Sequence, residues 1–334
     1  MLELDRVTKI FRLGIFGRKS LKAVDQVSFR VNHGQVVALI GESGSGKTTI
    51  GKMILRLLPA TSGTILFEGR DIAKFHGRAL KEYYRQVQGV FQDPFSSYNP
   101  IFKVDRIFNI VQKEFFPKVS AQKWRERQEE ALCAVGLTPE EVLGKYPHQL
   151  SGGQLQRLLI ARALLLEIRL LVADEIISML DASTRVDVLN LLADLKNAQG
   201  LSVLFITHDL ALAHYVSDEA LILYRGNIVE SGDIAKVFGS PLHPYTQMLL
   251  LSVPRLDQKW EDVEIKLQAQ SAPLGKGCVY YHRCFVQEKE KICANEKPGL
   301  LEVENGHFVA CHRFRETKKE VRYATGETRG TSTS

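Results

Sequence analysis

The sequence predicts an α/β domain with a mainly parallel sheet core, an inserted helical subdomain and a C-terminal extension that contains cysteines. Three observations support this prediction. Short apolar runs alternate with helical patterns through most of the first 250 residues, which is typical of a parallel sheet covered by helices. The strand signals disappear between about residues 93 and 166. Four of the five cysteines fall close to the C-terminus.

The composition is that of a globular protein with a large core. The chain has 334 residues, 45% hydrophobic and 25% charged, so we expect one large domain plus an appendage. The net charge of +6 is too mild to indicate an obligate nucleic-acid binder. No stretch approaches about 18 uninterrupted apolar residues, and the N-terminus is acidic where a secretory signal is basic. We therefore expect a cytoplasmic chain that does not enter a membrane by itself.

The individual elements follow from apolar runs and helical periodicity. The predicted strands are residues 36–40, 64–67, 170–173, 201–206 and 220–224, with a strand-like run at 89–91. The predicted helices are residues 48–58, 122–135 and 182–198, the second with Ser120 as its N-cap.

These signals predict a main domain with a helical subdomain inside it, an extension and a tail. Residues 1–254 form the main domain, and its helical subdomain covers about 93–166. Residues 255–312 form the cysteine-containing extension, which begins with a polar linker. Residues 313–334 lack apolar periodicity, so we expect a disordered tail.

A phosphate-binding loop follows the first apolar run of the main domain. Its sequence is Gly41-Glu42-Ser43-Gly44-Ser45-Gly46-Lys47-Thr48, which matches G-x-x-x-x-G-K-[ST] between a strand and a helix. In such a loop, backbone N–H groups surround the phosphates of a nucleotide. We expect Lys47 to reach the β- and γ-phosphates, Thr48 to ligate Mg²⁺ and Thr49 to be a further nucleotide contact. A plain flexible turn is disfavoured because the motif has the required context.

Two acids end the strand predicted at 170–173. We expect Asp174 to hold Mg²⁺ opposite Thr48 and Glu175 to polarise an attacking water as general base. Three weaker signals accompany them. They are the Ser151-Gly152-Gly153-Gln154 turn before a helix, His208 after a strand, and Gln92 after the run at 89–91.

The order and spacing of these elements over residues 1–250 resemble an ABC transporter ATP-binding subunit. The resemblance implies an ATPase in which two chains pair head to tail, so that Ser151 and Gly153 complete the partner's ATP site. It implies that Asp181 lies in the loop that crosses this interface and that Gln92 and His208 serve catalysis. An aromatic residue usually stacks on adenine, and Phe11 fits best, with Phe16 as the alternative. The family's usual Pro-Thr after the catalytic glutamate is replaced here by Ile176-Ile177, which removes no acid, base or metal ligand.

Longer sequence motifs resemble one branch of that family. Residues 91–100 and 243–246, together with the pattern Gly277-Cys278, Arg283-Cys284, Cys293, Pro298 and Ala310-Cys311, look like the oligopeptide/dipeptide/nickel importers. Four thiolates can hold zinc or an iron–sulfur cluster, and spacing alone does not choose. The resemblance favours a [4Fe–4S] cluster, with Zn²⁺ as the first alternative and unliganded thiols or disulfides as the other. Cys133 lies in a helical pattern, so we interpret it as a packing residue.

The resemblance implies the ATPase subunit of an importer, peripheral on the cytoplasmic face of the membrane. Its expected partners are two integral-membrane permeases, an extracytoplasmic solute-binding protein and a second ATPase chain, with a heterodimer favoured over a homodimer. The alternative is a soluble ABC-type ATPase that acts on ribosomes or DNA. Such proteins commonly carry two cassettes or a long coiled-coil insert, and this sequence shows neither, so no nucleic-acid partner is expected. Peptides, nickel and oligosaccharides remain open as cargo.

Overall fold

The structure is a computed structural model that describes residues 1–13, 19–166, 168–252, 276–286 and 291–315. It divides into two compact units, Met1–Asn227 and Ile228–Ser334. Within the described ranges, no helix combines the length and the apolar character that crossing a bilayer requires.

Nine strands are assigned to the described part of the first unit. They are β1 (Leu2–Leu13), β2 (Lys19–Val31), β3 (Val36–Ile40), β4 (Ser62–Phe67), β5 (Arg70–Asp71), β6 (Val87–Val90), β7 (Leu170–Asp174), β8 (Ser202–Thr207) and β9 (Glu219–Tyr224). Its helices are α1 (Lys47–Ile54), α2 (Gly77–Gln86), α3 (Asp105–Phe115), α4 (Ala121–Ala134), α5 (Pro139–Val142), α6 (Gly152–Leu164), α7 (Ala182–Gln199) and α8 (Leu210–Val216).

A parallel sheet forms the core of this unit. Its strand order is β6-β7-β8-β3-β9, and each neighbouring pair is parallel. Every residue of β3, β7 and β8 is buried, as expected where helices cover both faces of a sheet. The parallel order brings the carboxyl ends of β3, β7 and β8 to one edge, where loops can build a ligand site. The predicted fold class is confirmed, and the predicted strands match within about two residues.

A second, antiparallel sheet has the order β2-β1-β4-β5, and sequence patterning did not reveal β1 and β2. Their pairing contains register shifts between Leu4 and Val7 and again near Lys9. Arg6 and Gln26 have positive φ angles of 45° and 53°. Such bulges interrupt the two-residue alternation by which a strand is recognised.

Helices α3 to α6 fill the interval between β6 and β7 and share one apolar core. Its buried members include Phe108, Trp124, Leu132 and Leu159. Helix α4 begins as predicted, because the Ser120 hydroxyl accepts a hydrogen bond from the Lys123 amide. Helix α1 ends at Ile54, earlier than predicted, since the amides of Leu57 and Leu58 both bond to the carbonyl of Lys52 and close the turn.

The second unit contains three described strands and three described helices. They are β10 (Asn227–Asp233), α9 (Ile234–Gly239), α10 (Pro244–Leu251), α11 (Lys291–Asn295), β11 (Leu301–Glu304) and β12 (His307–Val309). Strand β12 pairs antiparallel with β10 and with β11. The side chains of Glu230 and His307 are fully buried and lie 2.8 Å apart (Oε1 to Nε2). The predicted linker, residues 255–275, lies outside the described residues. Of the predicted tail, residues 313–334, the structure describes only 313–315, and a 3₁₀ turn at His312–Phe314 includes the first two of them. The linker and the rest of the tail stay predictions.

Candidate active site

The phosphate loop connects β3 to α1, and two of its glycines have no room for a side chain. Gly46 has φ 110°, and a Cβ there would lie 2.4 Å from the carbonyl oxygen of Ala23. A Cβ on Gly41 would lie 2.1 Å from the carbonyl oxygen of Leu223. Both positions therefore need glycine on steric grounds. Ser43, Gly44 and Thr48 are exposed, Glu42 and Thr49 are half-buried, and Ser45 is buried.

The Lys47 ammonium lies inside the loop. Its Nζ donates hydrogen bonds to the carbonyl oxygens of Gly41 (2.7 Å) and Glu42 (3.0 Å), and the residue is only 5% exposed. Burial lowers the pKa of Lys47, while the nearby carboxylates of Glu175 and Asp174 oppose that shift. The Lys47 ammonium and the backbone N–H groups at the start of α1 thus offer hydrogen-bond donors to a phosphate.

Thr48 and Asp174 lie side by side, as predicted from the sequence. The Thr48 hydroxyl donates to Oδ1 of Asp174 at 3.2 Å, although 126 positions separate the two residues. Burial raises the pKa of Asp174, and the hydrogen bond from Thr48 opposes that shift. A hydroxyl and a carboxylate on adjacent elements are the hard oxygen donors that Mg²⁺ prefers, so these residues fit the ion.

Glu175 and His208 meet at the same edge, after β7 and β8. Nδ1 of His208 lies 3.1 Å from Oε1 of Glu175, and the exposed fractions of the two side chains are 59% and 19%. Glu175 has φ 50°, and its amide donates to the carbonyl of Ile206 at 2.9 Å. A positive φ is uncommon for a residue with a side chain and marks a constrained backbone.

Gln92 is exposed and follows β6. The register of β6 on β7 pairs Val90 with Ala173, so Gln92 lies at the same sheet edge as Asp174 and Glu175. Among the described residues, the structure gives no hydrogen bond between the Gln92 side chain and these acids.

The turn at residues 151–154 leads into helix α6. The Ser151 hydroxyl accepts from the Gln154 amide, and the Gln154 side chain accepts from the Ser151 amide, which forms a capping box at the start of α6. A Cβ on Gly153 would lie 2.7 Å from Cγ2 of Thr184. Gly152 is half-buried like Gly153. In the described part of the chain, no hydrogen bond joins this turn to the phosphate loop.

Asp181 caps helix α7 and is exposed. Its carboxylate accepts from the Thr184 amide (3.0 Å) and from the hydroxyls of Ser183 (2.6 Å) and Thr184 (2.8 Å). These hydrogen bonds, that of Ser183 first, lower the pKa of Asp181 well below its ordinary value. One turn later, Nε of Arg185 donates to the carbonyl of Leu180 at 2.8 Å. Sequence reasoning missed Arg185 because no motif marks a side chain that bonds to backbone carbonyls.

Phe11 is the one adenine-stacking candidate in the described ranges, since Phe16 lies outside them. Phe11 is half-buried on β1, and Nζ of Lys9 lies 5.2 Å from its ring centroid. An aromatic ring of this kind can stack on a planar base, and a nearby cation is attracted to the ring face.

The four C-terminal cysteines line one cavity, together with His243, Tyr280 and His312. The Cys278 amide donates to the carbonyl of Cys293 at 2.8 Å. Among the described residues, no disulfide joins these four cysteines. Burial raises the pKa of Cys278 to about 11 and also raises that of Cys311. No group of three or more His, Cys, Asp or Glu in the described ranges is placed to hold a metal ion as the structure stands.

Cys133 is exposed on α4, so the interpretation of this cysteine as a packing residue is wrong. The helix turns Ala131 and Leu132 into the core, and the next position falls on the solvent face.

Comparison with known proteins identifies the family. The chain is 42% identical over 327 residues to the oligopeptide transport ATP-binding protein AppF of Bacillus subtilis, covering 94% of this chain and 97% of that protein. The chain belongs to the oligopeptide/dipeptide branch of ABC transporter ATP-binding subunits. The oligopeptide transport ATP-binding protein OppF of Haemophilus influenzae is 38% identical over 298 residues, or 88% of this chain and 89% of that protein.

Two family models match separate parts of this ABC ATPase. The ABC transporter model matches residues 24–178, and the model of the oligopeptide/dipeptide transporter C-terminal region matches residues 229–293. Among solved structures, the dimeric post-hydrolysis state of the ATP-binding cassette MJ0796 bound to ADP and phosphate has a TM-score of 0.63. It is 27% identical and covers 70% of this chain and 99% of that one. The family resemblance, the fold and the ATPase class predicted from the sequence are thus confirmed.

Proposed function

We propose that this ABC ATPase hydrolyses ATP to drive import of oligopeptides or dipeptides across the cytoplasmic membrane, on whose inner face it lies. The observation that carries the chemistry is the convergence of Lys47, Thr48, Asp174, Glu175 and His208 at one edge of the parallel sheet. The relatives named for oligopeptide transport and the match over residues 229–293 support a peptide cargo over nickel or oligosaccharide.

Nucleotide binding begins with an exchange of partners at Lys47. Its ammonium bonds to two loop carbonyls. The charged β- and γ-phosphates of ATP are stronger acceptors than these neutral carbonyls, so they can replace them as partners of the ammonium. Thr48 and Asp174, with Gln92 at the same edge, would hold Mg²⁺. Mg²⁺ supplies charge neutralisation to the β- and γ-phosphate oxygens when it is bound. Glu42, Ser43, Gly44, Ser45, Gly46 and Thr49 would contribute backbone or hydroxyl groups around the phosphates.

Hydrolysis is assigned to Glu175 and His208. Glu175 stands at the carboxyl end of β7 and would take a proton from the attacking water as general base. His208 lies within hydrogen-bond distance of Glu175, so it can orient that carboxylate and reach toward the γ-phosphate. Both residues follow buried strands, which fixes where each one leaves the sheet.

The remaining site residues serve a head-to-tail dimer. The turn at residues 151–154 makes no hydrogen bond to the phosphate loop among the described residues, and Ser151 is exposed. We assign this turn and Asp181 to the ATP site of the partner chain and Phe11 to the adenine of the chain's own site. The dimeric state of the MJ0796 cassette supports the pairing of two such ATPase domains. The partner is a second ABC ATPase, with a heterodimer favoured.

The surface after Gln92 suits a membrane-embedded partner. Four large apolar side chains are exposed there: Phe95 (49%), Ile101 (76%), Phe102 (38%) and Ile110 (51%). Exposed apolar side chains gathered along one segment mark an interaction surface. We assign this surface to the permease subunits, which receive cargo from an extracytoplasmic solute-binding protein. The ATPase domain would end near residue 254, with the helical subdomain at about 93–166 and the extension at 255–312.

The four cysteines would hold a [4Fe–4S] cluster, with Zn²⁺ as the alternative. All four line one cavity, which fits either group in donor chemistry. In the described part of the chain, the positions of these side chains do not yet form a site for a single metal ion. A Cβ on Gly277 would lie 2.4 Å from backbone atoms of Cys293 and Ala294, so glycine allows the two cysteine-bearing segments to meet.

Anaerobic purification tests the cluster. We expect a broad absorbance at ~400 nm from thiolate-to-iron transitions. Cys293→Ser should abolish this absorbance, and the surface variant Cys133→Ser should keep it. Stoichiometric zinc without this absorbance would establish the alternative.

Affinity capture from detergent-solubilised native membranes tests the transport function. We expect two multi-span permeases, a second ATPase and a solute-binding protein, whose bound ligand would identify the cargo. Recovery of ribosomal or DNA-associated proteins alone would refute the transport function and leave the ATPase chemistry in place.

A further inference from the structure

The segment between Glu175 and Asp181 joins two parts of the proposed site. Glu175 follows β7 at the hydrolytic edge, and Asp181 caps α7. This segment, which we call the acid loop (residues 175–181), contains no proline, so no residue in it has a fixed φ. Its conformation must therefore be held by contacts, and Glu175 itself sits at φ 50°.

Apolar side chains anchor the acid loop to the core. Ile176, Ile177 and Leu180 are 1%, 3% and 5% exposed, whereas Met179 is 63% exposed. At its start, the Ser178 amide and hydroxyl both donate to the carbonyl of Glu175, at 3.1 and 2.9 Å. Burial of these side chains fixes where the loop lies, but it leaves the carbonyls of Ser178 and Leu180 to be oriented by other donors.

Arg185 supplies those donors from the first turn of α7. Its Nε donates to the carbonyl of Leu180 at 2.8 Å, and its Nη2 lies 3.5 Å from the carbonyl of Ser178. Its own amide bonds to the carbonyl of Asp181 at 3.0 Å, which ties the residue to the end of the loop. Among the described residues, no carboxylate lies within ion-pair distance of Arg185. The half-buried guanidinium is thus directed at the acid loop.

We propose that Arg185 is a positioning residue for ATP hydrolysis, holding the acid loop so that the Glu175 carboxylate stays beside His208. This inference rests on the proposed function, in which Glu175 is the general base. In this assignment Arg185 contacts the carbonyls of Leu180 and Ser178 and acts through Glu175. A guanidinium suits this task because its planar fork reaches two acceptors in a fixed geometry, whereas a lysine ammonium is a single flexible point charge.

Steady-state ATP hydrolysis and ATP affinity of the full-length chain test the proposal. For Arg185→Gln we expect kcat to fall at least about 10-fold, because small misplacements of a catalytic group can cost up to about 100-fold. We expect the Kd for ATP to stay within about twofold, since the phosphate loop is untouched. Arg185→Lys should recover part of the loss. Arg125→Gln is the matched control, because Arg125 is exposed and pairs with Glu129 on α4.

An Arg185→Gln variant that hydrolyses ATP like Arg125→Gln would overturn the proposal. So would a parallel loss of ATP affinity and thermal stability without rescue by lysine, because that result indicates a purely structural role.

A double variant separates this inference from the function on which it rests. If Arg185 acts through Glu175, Arg185→Gln adds no further loss of turnover in a Glu175→Gln background. A further loss of the same size as in the wild-type background would overturn the positioning role. Normal hydrolysis by Glu175→Gln alone would instead refute the proposed function, whatever Arg185 does.

Discussion

Nδ1 of His208 lies 3.1 Å from Oε1 of Glu175, which joins the ends of two adjacent parallel strands. Each residue directly follows a strand that is buried along its whole length, so the sheet fixes where each of the two loops begins. Thr48 and Asp174 make a second contact at the same edge. The sheet thus brings together groups for phosphate binding and for water activation that lie up to 160 residues apart in the chain.

His208→Ala should lower ATP turnover about 100-fold, because a hydrogen-bonding group near the transferred phosphoryl group is lost. ATP affinity should change little, since Lys47 and the loop amides remain. Phosphate release and equilibrium nucleotide binding measure the two quantities. His33→Ala is the control, as His33 is exposed and pairs with Glu68 outside the site. Equal turnover in the two variants would contradict the role of His208.

Gly46→Ala should abolish ATP binding. The added Cβ would approach the carbonyl of Ala23 to 2.4 Å at a φ of 110°, so the phosphate loop must distort. Gly69→Ala serves as the control, because Gly69 also has a positive φ (71°) but no atom within 4 Å of a new Cβ. The control should cost about 1 kcal/mol in stability and keep ATP binding. Isothermal titration measures the ATP affinity of both variants, and thermal denaturation measures their stability. Retained ATP affinity in Gly46→Ala would contradict the steric requirement for glycine.

Gly153→Ala should reduce ATP-dependent dimerisation and turnover while leaving ATP binding intact. Its Cβ would meet Cγ2 of Thr184 at 2.7 Å and displace the turn that serves the partner chain. Thr184→Ser removes that methyl group and keeps the hydroxyl that donates to Asp181. We therefore expect the double variant Gly153→Ala/Thr184→Ser to recover activity. Light scattering and ATPase assays provide the readouts, and failure of this rescue would refute the steric explanation.

Ile101→Glu should weaken capture of the permeases without changing the ATPase activity of the isolated chain. Ile101 is 76% exposed in the apolar surface after Gln92, and a charge there opposes burial against another apolar face. Leu57→Glu is the control, since Leu57 is 58% exposed outside that surface. Equal permease recovery with both variants would argue against this surface as the docking site.

Short sequence motifs were enough to propose many residues of the candidate ATP site. The phosphate loop follows one short buried strand, and Asp174 and Glu175 lie at the end of another. Because the carboxyl ends of parallel strands meet at one edge of the sheet, the position of these residues in the fold could be predicted. The sequence did not reveal β1 and β2, because bulges near Arg6 and Gln26 break the alternation of apolar residues. It did not reveal Arg185, whose partners are carbonyls oriented by the folded loop. Cys133 was wrongly assigned to the core, because the helical pattern alone did not show on which side of the boundary between the buried and the exposed face of the helix it falls.

ATP hydrolysis by Glu175→Gln is the sharpest test of Glu175 as the general base. It is measured beside the wild-type chain at saturating ATP, with ATP affinity determined in parallel. We predict that turnover falls at least about 100-fold, since the general base is lost, while ATP still binds. Turnover close to that of the wild-type chain would contradict the assignment of Glu175 and the mechanism built on it.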